Sequence, residues 1–101
     1  MGVNSRSNVG GRQSGLTIDS TAGGIALTVP DAARAAEIYV ETAAIRYTRD
    51  GTAPTTTIGF VAYPGDIILL NSRDECEKWL GIEDTTTDAS IDVEYYSDVS
   101  G

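Results

Sequence analysis

Apolar residues in this chain recur at every second position within short segments, and that alternation constrains the fold more than any other feature. Ile25, Leu27 and Val29 share one face of an extended chain, as do Ile38 and Val40, Ile45 and Tyr47, and Ile91, Val93 and Tyr95. Residues that favour turns separate these runs: Thr21-Ala-Gly-Gly24, Arg49-Asp-Gly-Thr52 and Pro64-Gly65. Leu16 with Ile18 and Trp79-Leu80 with Ile82 supply further strand segments, and another strand is expected from about Ile58.

Two places invite a helix. Asp31 is a suitable N-cap for the alanine-rich stretch that follows, but the β-branched sequence Ile38-Tyr39-Val40 leaves room for one helical turn at most. Ser72-Arg-Asp-Glu75 resembles a capping box, and it predicts a single turn of helix. Ile67-Ile68-Leu69-Leu70 is apolar on both faces, the pattern of a central strand. Pro54 lacks a donor and is placed in a connection.

Seven or eight short strands spaced roughly 8 to 12 residues apart predict an all-β fold, a two-sheet antiparallel β-sandwich of immunoglobulin-like or jelly-roll-like type. The expected core is Ile25, Leu27, Ile38, Val40, Ile45, Ile68, Leu70, Trp79, Ile91 and Val93. A chain of 101 residues accommodates one such domain. It is expected over residues 16–97, after a flexible basic arm over 1–15 and before a frayed end over 98–101. The arm sequence is rich in Gly, Ser and Asn and offers few apolar groups to offset the entropy of ordering.

Charge is distributed unevenly. Met1 to Ser14 carries Arg6 and Arg12 and no acid, while the remainder holds five basic and fifteen acidic residues, a net charge of −10. An acidic body repels phosphate, so a nucleic-acid partner is not expected. No apolar run approaches the roughly 20 residues of a membrane span, and the first residues lack the apolar core of a secretory signal. A cytoplasmic origin is therefore expected, with neither secretion nor a membrane partner.

Histidine is absent and Cys76 is the one cysteine, so neither a disulfide within the chain nor the usual zinc and haem ligand sets can be assembled. Catalysis would have to rest on carboxylates or hydroxyls, and none stands in a recognisable motif. No enzyme activity, cofactor or metal is expected. Asp84, Asp88 and Asp92 lack the spacing and glycine of an EF-hand loop and are read as a solvated acidic stretch. The Gly10-Gly11 and Gly23-Gly24 pairs lack the Lys-Ser or Lys-Thr that follows a phosphate-binding loop. Tyr39, Tyr63, Trp79, Tyr95 and Tyr96 could line a sugar-binding face, although Trp79 fits a core position better. Tyr95 and Tyr96 fall on opposite sheet faces, so at least one ring is expected at solvent or at a partner.

The segment Ile45-Arg-Tyr-Thr-Arg-Asp-Gly-Thr-Ala-Pro-Thr55 resembles a hairpin of the small immunoglobulin-like modules appended to chitobiases and other bacterial glycosidases. A longer set of segments is similar to small virion structural proteins of tailed phages and prophages. It comprises Ala35-Ala-Glu-Ile-Tyr-Val-Glu41, Ile45-Arg-Tyr47, Asp50-Gly-Thr-Ala-Pro-Thr55, Gly59, Pro64-Gly-Asp66, Ser72-Arg-Asp-Glu75 and Ile91-Asp-Val-Glu-Tyr-Tyr96. This second resemblance implies a β-sandwich without catalytic residues, made in the host cytoplasm and carried in the virion. It implies a capsid decoration or cement protein that bridges neighbouring subunits, with the major capsid protein or another virion protein as partner and a possible homo-oligomer such as a trimer. Arg6 and Arg12 are the expected arm contacts and Tyr39, Tyr63 and Tyr96 the body contacts. The competing expectation is a tail-associated or carbohydrate-binding adhesion module.

Overall fold

The computed structural model describes residues 8–98 of the chain, with side chains over 11–97. The elements run β1 (Asn8–Ile18), β2 (Ile25–Ala26), β3 (Ala35–Val40), β4 (Ile45–Thr48), β5 (Phe60–Ala62), β6 (Ile67–Leu70), α1 (Arg73–Lys78), β7 (Leu80–Glu83) and β8 (Ala89–Asp98). They form two four-stranded antiparallel sheets, ordered β1-β8-β3-β6 and β2-β7-β4-β5, as the alternation predicts.

The alternating faces meet between the sheets. Ile38 and Val40 of β3, Ile91, Val93 and Tyr95 of β8, Ile68 and Leu70 of β6 and Ile45 of β4 are all buried. Ile25 is only partly buried, because β2 is a two-residue strand at a sheet edge. The sequence reading left Ile18, Tyr47, Cys76 and Tyr95 out of the core, together with small fillers such as Ala33, Ala36, Ala62 and Ala89.

Two expectations are corrected. The run from Ile67 to Leu70 forms an edge strand and not a central one: Ile68 and Leu70 enter the core, while Ile67 and Leu69 face outward. The expected arm over 1–15 overlaps β1, which begins at Asn8 and pairs with β8 along its length, with register shifts at three places. Backbone bonds to a strand that is itself buried supply what the few apolar side chains of this segment do not. Residues 1–7, and with them Arg6, lie outside the described residues.

The crossover between sheets is compact. Ser72 caps α1, its hydroxyl accepting from the Glu75 amide at 3.2 Å, but Glu75 Oε1 accepts from the amide of Asn71 at 2.7 Å and not from that of Ser72. Arg73 reaches back from α1 to donate to the carbonyls of Pro30, Asp31 and Ala33 at 2.8, 2.8 and 2.9 Å, which ties the two crossovers together. Trp79 is the C-cap of the helix and not a strand residue. Its ring is fully buried and stacks on Tyr47 with centroids 6.1 Å apart.

Gly81 leaves the space that this ring fills. A Cβ at position 81 would stand 2.5 Å from Trp79 Cη2, so the ring would have to move within a closed core. Gly81→Ala is therefore expected to destabilise the domain by about 1–3 kcal/mol in urea denaturation, as overpacked substitutions do. In Gly81→Ala/Trp79→Phe the combined loss is expected to be smaller than the sum of the two single losses, because the smaller ring relieves the clash.

Candidate docking surface

The exposed large apolar side chains of the described residues all fall between positions 58 and 69: Ile58 at 46%, Phe60 at 62%, Tyr63 at 60%, Ile67 at 56% and Leu69 at 43%. Scattered exposed hydrophobics are ordinary, but clustering within one short segment is a signature of an interaction surface. β5 is the outermost strand of one sheet and β6 of the other, and residues 63–66 join them directly. The two edges therefore lie along the same flank of the sandwich.

The turn that joins them has the expected type II character. The Asp66 amide donates to the Tyr63 carbonyl at 2.8 Å, and Gly65 takes φ +95°, where a side chain would be strained. Reciprocal bonds to the end of β3, Gly65 N to Val40 O at 2.8 Å and Val40 N to Asp66 O at 3.1 Å, hold the turn against the body. Tyr63 is presented at this fixed corner.

Phe60 pairs with Tyr47 in register, and their ring centroids are 5.9 Å apart. It thus occupies the core-facing side of β5, yet no strand lies beyond it and its ring stays open to solvent. Gly59 permits the approach to β4: φ is +121°, and a Cβ there would meet the Tyr47 carbonyl oxygen at 2.8 Å. Arg46 locks the segment from the other face, donating to the Gly59 carbonyl at 3.2 Å and pairing with Asp84 at 3.1 Å. An open cleft of about 330 Å³ lies between the 48–52 turn and Ile58–Phe60. Arg49 lines it, with its guanidinium 5.9 Å from the Tyr47 ring centroid and no ion pair among the described residues.

The predicted contact residues divide among three places. Tyr63 belongs to the apolar flank. Tyr39 and Tyr96 stand on the outer face of the β1-β8-β3-β6 sheet and converge on Glu37, whose Oε1 accepts from the Tyr39 hydroxyl at 2.5 Å and the Tyr96 hydroxyl at 3.1 Å. Burial, reinforced by the hydrogen bond to Glu37, pushes the Tyr96 hydroxyl up to about 12. Tyr39 also lies opposite Ile67 in the β3–β6 register and so borders the flank. Arg12 is on the far edge, where it pairs with Asp92 at 3.0 Å.

Other candidate groups have internal uses. Tyr95 points inward and donates to Gln13 Oε1 at 2.7 Å. Trp79 is core, which removes it as a ligand platform. The Cys76 thiol is buried and pushed up to about 11 by desolvation, which leaves little thiolate at neutral pH. Asp84 and Asp92 are held in separate ion pairs, and Asp88 interacts with Glu83, whose carboxyl is raised by that contact. Among the described residues no group of three or more potential metal ligands converges. Sequence reasoning missed Ile58, Phe60, Ile67 and Leu69 as surface residues; the one available signal was apolar character on both faces of Ile67–Leu70.

Asp92 governs how β1 is attached. Its Oδ1 accepts from the Gly15 amide at 2.8 Å and its Oδ2 from Arg12, and these bonds hold the carboxyl below its ordinary range. A depressed native value stabilises the fold above the unfolded value of about 3.9 and ceases to do so as pH falls through the native one. The Gly15 amide resonance is expected to shift in a titration below about pH 4 as this bond is lost, and to show little such shift in Asp92→Asn. Comparison with known proteins finds no match: no family model, curated protein or solved structure matches this chain.

Proposed function

We propose that the chain is a non-enzymatic attachment domain and, following its sequence resemblance, an accessory structural protein of a tailed-phage particle. In this reading it binds the assembled shell through the flank carrying Ile58, Phe60, Tyr63, Ile67 and Leu69, and it stabilises the shell by bridging neighbouring capsid subunits. The observation that supports attachment is that, among the described residues, the exposed large apolar side chains are confined to that flank. Binding to the assembled form and not to free subunits would favour assembly by mass action.

Magnitudes favour many copies acting together. Complete burial of a large apolar side chain is worth about 1.5–3 kcal/mol, so covering five that are about half exposed contributes on the order of 5 kcal/mol. Association costs roughly 4–15 kcal/mol in lost freedom. The apolar contacts alone therefore hold a single copy weakly. A symmetric oligomer such as a trimer, or backbone bonds to the partner, would supply the rest, and a repetitive shell rewards such multivalency.

The absence of an enzyme role is part of the proposal. The sequence contains no histidine, the thiol is buried, and the carboxylates named above are engaged with neighbours. The carbohydrate-binding alternative loses its largest ring with Trp79 in the core, which leaves Phe60 and Tyr63 as the exposed rings of the flank.

Quantitative mass spectrometry of purified particles is expected to give hundreds of copies relative to the major shell protein. A dozen or fewer would move the protein to the neck or tail, and absence would reject a virion role. Because Tyr63 and Leu69 are exposed and project away from the core, Tyr63→Asp/Leu69→Asp is expected to fold normally and to bind shells at least about tenfold more weakly, the equivalent of about 1.4 kcal/mol.

A further inference from the structure

The four sheet edges of this sandwich are unequal. β1 is interrupted by register shifts at three places and carries Arg12, β2 has two residues, and β5 has three and follows the Gly59 kink. Bulges, brevity and charge are the usual protections against pairing with another chain. β6, with four residues, has neither a bulge nor a charge. It pairs with β3 in unbroken register over all four residues, contains no charge and no proline, and presents Ile67 and Leu69 outward.

Alternate backbone groups of an edge strand point away from its one neighbour. No described strand lies beyond β6, and no described turn or loop bonds to its outer edge. Unpaired backbone groups together with alternating apolar side chains are the recognition elements of strand addition.

Charge selects the occupant. The chain carries a net charge of −8, which opposes pairing between two copies. Asp66 immediately precedes β6, and the helix that follows it, Arg73–Lys78, carries three acids against two bases, so the surroundings of the strand are net acidic. We infer that β6 is an acceptor edge for an extended segment of a different protein, with apolar side chains at alternate positions beside Ile67 and Leu69 and Lys or Arg at its ends. This deepens the attachment reading and depends on it.

The test uses the full chain labelled with nitrogen-15 and three hexapeptides: acetyl-KTITIK-amide, acetyl-ETITIE-amide, and a form of the first with alternate backbone nitrogens methylated. The basic peptide is expected to shift the Ile67–Leu70 amides saturably, and the acidic and methylated peptides to bind at least about tenfold more weakly. Ile67→Lys/Leu69→Lys, altered only at exposed positions, should lose the response while keeping the rest of its spectrum.

Equal binding by the methylated peptide would overturn strand addition, because side-chain contact would then suffice. Absence of any β6 response would overturn it as well, as would sedimentation showing a dimer through β6. A chain lacking residues 1–7 tests for competition from the protein's own terminus. If a chain lacking them bound the basic peptide tenfold more tightly than the full chain, β6 would be the seat of the protein's own terminus and the inference would fail. Peptide binding by a protein absent from particles would reject the virion role alone and leave the acceptor edge standing.

Discussion

The packing of Trp79 over Gly81 and against Tyr47 is the contact on which the rest of the sandwich depends. The chain leaves one sheet at Leu70, makes the short helix α1, and enters the other sheet at Leu80, so Trp79 is the last residue of the crossover and the largest side chain in the core. Tyr47 joins it from the neighbouring strand β4, and Phe60 follows Tyr47 on β5. A line of rings thus leads from the centre of the domain to its exposed flank. The groups that would meet a partner are set by the same packing that holds the sheets together, so the surface is presented by a rigid body.

The architecture was readable from period-two alternation because β3, β4 and β8 each have one buried face and one solvated face. Ile38 and Val40 against Tyr39, or Ile91 and Val93 against Asp92 and Glu94, leave little doubt about which side faces in. Legibility failed where that contrast was missing. Ile67–Leu70 is apolar on both faces, and a strand between two neighbours and an edge strand awaiting one look alike in sequence. The first half of β1 has almost no apolar content, and its place depends on backbone bonds to β8 and on Asp92 receiving Arg12 and Gly15. Contacts some eighty residues apart leave no local signature. The candidate surface suffered in the same way, since Tyr63 could be chosen as a protruding aromatic but Phe60 is exposed only because no strand follows β5.

The two flanks of the sandwich differ in kind. At the β1 edge the glycines admit bulges, Arg12 is neutralised by Asp92, and Gln13 receives both the Tyr95 hydroxyl and the Thr28 amide. The side chains of Arg12 and Gln13 are engaged within the domain, and register shifts interrupt the ladder. On the β5–β6 flank the polar bonds secure the backbone of the turn and of Gly59, while the side chains that project are apolar. One flank is irregular and polar, and the other is regular and apolar.

An open apolar edge is a hazard to the protein that carries it, because identical edges pair and aggregate. Charge restrains that process here without covering the edge. With acids outnumbering bases fifteen to seven, two copies approaching through their β6 edges meet net repulsion, and Asp66 and the net-acidic α1 flank the strand. Repulsion between like copies becomes attraction toward a basic segment, so one feature serves both solubility and selection. Replacement of Asp66, Asp74 and Glu75 by their amides would remove this discrimination and leave the sheets intact, since none of them is in the core and an amide oxygen can still accept from the Tyr63 and Asn71 amides. In the proposed reading the acidic composition of the chain and the apolar composition of its flank are two parts of one arrangement: the first would keep the second available for a partner of opposite charge.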